Sequence, residues 1–229
     1  MKLRFFIIAL IILGIFFGVY SKELYLKKFT FNDSKEFKAW NKMILNGAVE
    51  YTLMKYGSEG FIQAHSDKSC SALYYRLGFN LKDYPILSWK WRVLKFPDVS
   101  TDMAERQSDD YAARVYVIFP FLNFSLSKFI EYVWARDIPA GTVMNSPAGD
   151  NIKIIVARSS DSQAGDWALE SRNVYEDYSM LFGKKPKSAG AIAIMCDADS
   201  TKSQAEASFD DIAIEALARL EQRKAVNGK

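Results

Sequence analysis

Side-chain alternation dominates this chain. In "LSWKWRV", Leu87, Trp89, Trp91 and Val93 fall on one side, with Ser88, Lys90 and Arg92 on the other. A period of two with large apolar residues on one face is the pattern of a half-buried strand. "ARVYVIF" repeats it: Val115, Val117 and Phe119 oppose Arg114 and Tyr116. "NIKIIVAR" alternates more weakly, and "GAIAIMCD" is almost wholly apolar, as a central strand covered on both faces would be. Further strands are predicted at "LYLKKFTF", "EYTLMKY", "GFIQAHS", "SALYYRLGF", "YVWA" and "SFDDIAIEA". Turn chemistry separates them, with Asn46-Gly47, Gly57 to Gly60, Asn145 to Asn151 and Gly183 to Ser188.

Helical spacing is scarce. Residues 34–41, "SKEFKAWN", fit one short amphipathic helix with Ser34 as N-cap. Residues 173–182, "NVYEDYSMLF", fit a second, closed by Gly183. Many short strands at roughly ten-residue spacing with few helices predict an all-β fold, a jelly-roll-like β-sandwich with one or two short helices. The sandwich is expected over residues 22–217, followed by a charged tail at 218–229. The sixteen Phe, twelve Tyr and five Trp suit a ring-filled core and also a sugar-binding surface.

The first residues change the picture. Lys2 and Arg4 precede an uncharged run from Phe5 to Tyr20. A helix of that length rises roughly 24 Å, short of the roughly 30 Å hydrocarbon core. Residues 1–21 therefore read as a signal peptide, or else as a retained N-terminal anchor. Either exports the rest, to the periplasm or to the periplasmic face of the inner membrane. Membrane contact is expected only through this segment, if it is uncleaved. A net charge of +3, with no Lys/Arg run longer than two or three residues, argues against a dedicated nucleic-acid binder. A single histidine, His65, excludes a multi-histidine zinc site and reads as a strand residue. Cys70 and Cys196 admit either one disulfide or two buried thiols.

Three polar clusters stand out: Asp109, Asp110 and Arg114; Asp166 to Tyr178, with Arg172 and Asp177; and Asp197, Asp199, Asp210 and Asp211. An arginine in or beside a strand needs a partner, and the same fork can grip a carboxylate or sugar hydroxyls. Asp110, Arg114, Trp134, Arg172 and Asp177 are the expected ligand-binding site, with Asp110 orienting Arg114. The Asp-rich loop after "IAIMC" offers oxygens of the kind calcium takes, or else its acids cap their own turn.

The runs "LSWKWRV", "DDYAARVYVIF", "YVWA", "NSPAGDNIKIIVAR", "GDWALESRNVYEDYSMLFG" and "IAIMCDADSTKSQAEASFDDIAI" together resemble the bacterial family called domain of unknown function 3047, across about residues 28–215. The resemblance implies an exported bacterial protein with one β-rich domain and no established activity. The family more often shows Thr-Asp-x-Asp-Asn-Thr where this chain has Cys196 to Thr201, so any disulfide would be peculiar to this branch. More loosely, "LSWKWRV" with a late "FDDIAI" is similar to galactose-binding-type jelly-roll carbohydrate-binding modules. That resemblance implies a structural calcium at Asp210 or Asp211. The expected function is non-catalytic binding of a glycan or other polar envelope component. The rivals are a polysaccharide hydrolase or lyase using Asp/Glu acid–base chemistry, and a structural envelope protein without a small ligand.

Overall fold

The computed structural model describes residues 24–98, 109–159 and 164–218. The N-terminal run at 1–21 and all but the first residue of the 218–229 tail lie outside these. In chain order the elements are β1 (Tyr25–Phe29), α1 (Ser34–Lys38), β2 (Asn41–Asn46), β3 (Glu50–Tyr56), β4 (Glu59–Asp67), β5 (Cys70–Asn80), β6 (Ile86–Lys95) and β7 (Ala113–Phe119). A 3₁₀ turn (Phe124–Leu126) leads to β8 (Lys128–Ala135), β9 (Val143–Ser146), β10 (Gly149–Ser159), β11 (Ala168–Asn173), α2 (Val174–Phe182), β12 (Ser188–Asp197) and β13 (Gln204–Glu215).

The strands form two layers. One sheet runs β11-β6-β13-β4-β3, with β1 also paired to β13. Strand β4 covers Gln204–Phe209 of β13, and β1 covers Ile212–Glu215 beyond it. The other sheet has seven strands in the order β2-β5-β12-β7-β8-β10-β9. Among the described residues the β8–β10 pair is parallel and the other pairs are antiparallel. The sandwich expected from alternation is the one observed.

The alternation also selects the core. Leu87, Trp89, Trp91 and Val93 all point between the sheets and are fully buried. From the facing sheet come Val115, Val117, Tyr132 and Trp134. Trp89 meets Trp91 edge-on at 5.3 Å between centroids and lies tilted by 35° against Tyr132 at 5.2 Å. Such ring pairs add to the transfer energy of burying large side chains.

Local details differ from the sequence reading in three places. Helix α1 is capped by Asp33, not Ser34: the Asp33 carboxylate accepts from the Lys35 N–H at 2.9 Å. It stops at Lys38, and Asn41 already begins β2. Strands β2, β9 and β11 were not legible, because β2 is exposed throughout and the other two are short and mixed in burial. Helix α2 ends as expected, with Gly183 at φ 63° accommodating the left-handed turn.

The cysteines do not pair. Strands β5 and β12 are neighbours, but Cys70 lies opposite Asp197, while Cys196 lies opposite Ser71. The two thiols sit one residue out of step, so Cys196 faces the core and Cys70 the outer side of the same sheet. Both are free and buried. Among the described residues, no helix is long and apolar enough to cross a membrane.

Candidate functional site

The outer face of the seven-stranded sheet is hollowed into a trough of about 750 Å³. Its floor is built from the side chains that alternation turns away from the core. One row across the strands reads Tyr74, Ala193, Tyr116 and Glu131; the next reads Arg76, Ala191, Ile118 and Phe129. Small residues on central β12 make the hollow, and larger ones on its neighbours make the walls. At one end Pro120 packs over Gly190, where a Cβ would lie 2.5 Å from the Pro120 ring. That close approach requires glycine. The opposite end is polar, with Asp109, Asp197, Asp199 and Ser146.

Arg114 anchors the polar end. It is 2% exposed, yet its guanidinium is fully engaged. Nε donates to Asp197 Oδ1 at 3.1 Å and Nη2 to Asp197 Oδ2 at 2.6 Å, a two-pronged pairing. Nη1 donates to Glu131 Oε1 at 2.6 Å and to Tyr116 Oη at 3.1 Å. Nη2 also donates to the Asp109 carbonyl, and the Asp109 carboxylate lies 3.7 Å from Nη1. The Tyr111 ring covers the guanidinium at 4.9 Å. Burial pushes the Glu131 carboxyl up, with Arg114 opposing. Burial likewise pushes Asp197 up, to about 8, against Arg114 and the Tyr111 amide that favour its ionised form.

The expected five-residue site does not assemble in one place. Asp109, not Asp110, contacts the guanidinium. The Asp110 carboxylate instead accepts from Thr201 N–H at 2.7 Å and Thr201 Oγ1 at 2.6 Å, pinning the loop after β12. Trp134 is a core ring tilted against Trp91 at 5.7 Å between centroids, with the Arg158 guanidinium over it at 5.3 Å, and it lines a separate hollow together with Arg158 and Asp166. Arg172 pairs with Asp177 at 3.0 and 2.6 Å, and Tyr132 donates to the same carboxylate at 2.7 Å. Tyr132 and Glu131 are adjacent on β8, so their side chains leave opposite faces. The two arginine clusters are thus separated by the sheet itself.

Glu131 was missed in the sequence. Its signal was present: a carboxylate in the apolar run "FIEYVWA", on the same face as the cross-strand Tyr116. His65 lies within β4, in register with Glu50 and Glu206, and is a strand residue.

Neither acidic group suits a cation well. Asp211 sits at a bulge with φ 48° and already holds two ammonium groups, Lys28 at 2.9 Å and Lys90 at 2.7 Å. The lysines, with their hydrogen bonds, hold its carboxyl below the usual range although burial opposes them. Asp210 accepts from the Asp211 N–H at 2.6 Å, and burial raises it to about 6. Cys70, Asp197 and Asp199 bring potential ligand atoms within 4.8 Å of one another. There Arg114 already supplies the positive charge to Asp197, and burial raises the Cys70 thiol, which disfavours the thiolate a metal needs.

The family profile described as "Protein of unknown function (DUF3047)" matches residues 38–213. The chain belongs to that family. No curated protein sequence matches it. Among solved structures it is similar to the family 30 carbohydrate-binding module of a Clostridium thermocellum cellulosomal cellulase. Identity there is 10%, covering 78% of this chain and 92% of that one, with a TM-score of 0.42. It is similar to the xyloglucanase domain of NopAA from Sinorhizobium fredii, in complex with cellobiose, at 13% identity, 77% and 92% coverage and a TM-score of 0.44. Endoglucanase cel12A of Rhodothermus marinus is similar at 11% identity, 77% and 96% coverage and a TM-score of 0.42. Likenesses this distant carry no ligand from those proteins to this one.

Proposed function

We propose that this protein is a non-catalytic binding module of the bacterial envelope, holding a glycan or other envelope ligand with a polar end in the trough. The carrying observation is the row Tyr74–Ala193–Tyr116, a ring, a gap and a ring across three neighbouring strands. At about 4.8 Å per strand the two tyrosine positions stand roughly 10 Å apart, a slot wide enough for a flat ring. Aromatic faces take up the apolar side of a sugar, while the half-buried Asp109 and Asp199 at one end offer hydrogen bonds. Export by residues 1–21, cleaved or retained, would place the module in the periplasm or at the inner membrane.

Catalysis is the weaker reading. A glycosidase needs two carboxyl groups facing each other across a scissile bond. Here Glu131 and Asp197 both turn onto one guanidinium, which supports a positioning role for the pair.

The test is calorimetric titration with a panel of cell-wall and capsular glycans, alongside Ala193→Trp, which fills the slot. Saturable binding by the natural chain, lost in Ala193→Trp at unchanged melting temperature, is the expected result. Binding that survives Ala193→Trp, or no binding across the panel, overturns the glycan reading. Shortened glycan products would establish the enzyme instead.

A further inference from the structure

A second surface lies at the Pro120 end of the trough, in the turn joining β7 to β8. Phe121 and Leu126 are more than half exposed and Leu122 is fully exposed. Their presentation is organised by the turn's own hydrogen bonds. Ser127 Oγ accepts from the Phe121 N–H at 3.0 Å, and the Asn123 carbonyl accepts from the Leu126 N–H at 2.9 Å. The Asn123 side chain accepts from the Ser125 N–H at 3.1 Å, and Asn151 donates to the Ser127 carbonyl at 2.7 Å. These five backbone groups keep partners within the protein, which lowers the cost of bringing the turn against an apolar phase.

The ground around it is basic. Lys128 closes the turn, with its ammonium 4.3 Å from the Phe182 ring centre and 5.4 Å from Tyr178. Phe182 ends α2, and Lys184, Lys185 and Lys187 follow it, all exposed. Burial lowers the Lys128 ammonium, and the like charges of Lys184 and Lys153 lower it further, so these cations crowd one another. Among the described residues, none of Lys128, Lys184, Lys185 and Lys187 forms an ion pair. The segments 120–128 and 183–188 contain no acid. The acid nearest along the chain is Glu131, three residues after Lys128, and its carboxylate is turned onto Arg114; Asp150 stands beside Asn151, and Asp83 lies in the loop whose Leu81 N–H bonds the Lys187 carbonyl.

Apolar side chains projecting from a turn, beside lysines that form no ion pair among the described residues, match the headgroup boundary of an anionic bilayer. We propose that the β7–β8 turn is a membrane-docking tip for anionic lipid, separate from the N-terminal segment. Docked there, the protein rests the Pro120 end of its trough against the lipid surface. This surface does not depend on what the trough binds.

The test uses the full chain carrying Leu122→Cys, labelled with an environment-sensitive fluorophore; Cys70 and Cys196 are buried. A probe at one position reports docking of the tip even when the N-terminal run also holds the chain on the vesicle. With phosphatidylglycerol vesicles the emission shifts to the blue, and with phosphatidylcholine vesicles it does not. Adding Lys128→Glu and Lys184→Glu weakens that response more than about tenfold, the effect of several charge contacts with an anionic surface. Emission that stays water-like while the chain sediments with phosphatidylglycerol vesicles overturns the proposal. So does an equal shift on phosphatidylcholine, or a shift without lipid that grows with protein concentration, which would assign the tip to a second copy of the chain.

Discussion

Replacing Arg114 by Met leaves Glu131 and Asp197 buried, at 1% and 2% exposure, with their shared cation gone. Removing one partner of a buried ion pair typically destabilises by about 3–5 kcal/mol, because the remaining charge stays desolvated. Domains of this kind are stable by about 5–15 kcal/mol, so the loss is a large fraction of the whole. At this size it lowers the melting temperature by roughly 10 °C. The loss depends on pH, and the sign follows from the direction of the shifts. Both carboxyls lie above their unfolded values already, Asp197 at about 8. Without Arg114 they rise further. From about pH 4, the ordinary carboxyl value, up to the folded value, the native state holds more protons than the unfolded one, so stability falls as pH rises. Arg114→Met is therefore most damaged near pH 8 and partly recovers near pH 5. Urea unfolding of the natural chain, Arg114→Met and Arg114→Lys at pH 5, 6.5 and 8 measures this. Arg114→Lys keeps the charge but cannot reach three acceptors at once, and falls between the other two. A loss below about 1 kcal/mol that is the same at every pH would refute the idea that the guanidinium neutralises buried acids.

Two further outcomes follow from the same geometry. Arg172→Met breaks a partly exposed pair with Asp177, so it costs only about 1–2 kcal/mol in urea unfolding and leaves trough binding unchanged, because the sheet separates the clusters; lost binding would contradict that separation. Millimolar calcium or a chelator leaves the melting temperature within about 1 °C, since Lys28 and Lys90 already hold Asp211, whereas a ligand at a hundred times its Kd would raise stability by about 2.7 kcal/mol.

Strand parity was legible in the residues themselves. The 87–93 and 113–119 runs assign Trp89, Trp91, Val115 and Val117 to the core, and Arg114 and Tyr116 to the other side, because successive side chains in a strand must alternate. Helix α2 and its Gly183 stop were equally local. Strand β2 was not, since it is exposed throughout and is held by its ladder with β5 rather than by a buried face. Which residues meet was decided by sheet order and register. Placing β12 between β5 and β7 brings Asp197 to Arg114 and sets Cys70 and Cys196 on opposite faces. The adjacent pair Glu131 and Tyr132 sends one arginine's partner outward and the other's inward. Parity along a strand is a property of the chain, whereas pairing across a sheet is long-range, and contacts between residues more than 80 positions apart leave no periodic trace in either segment.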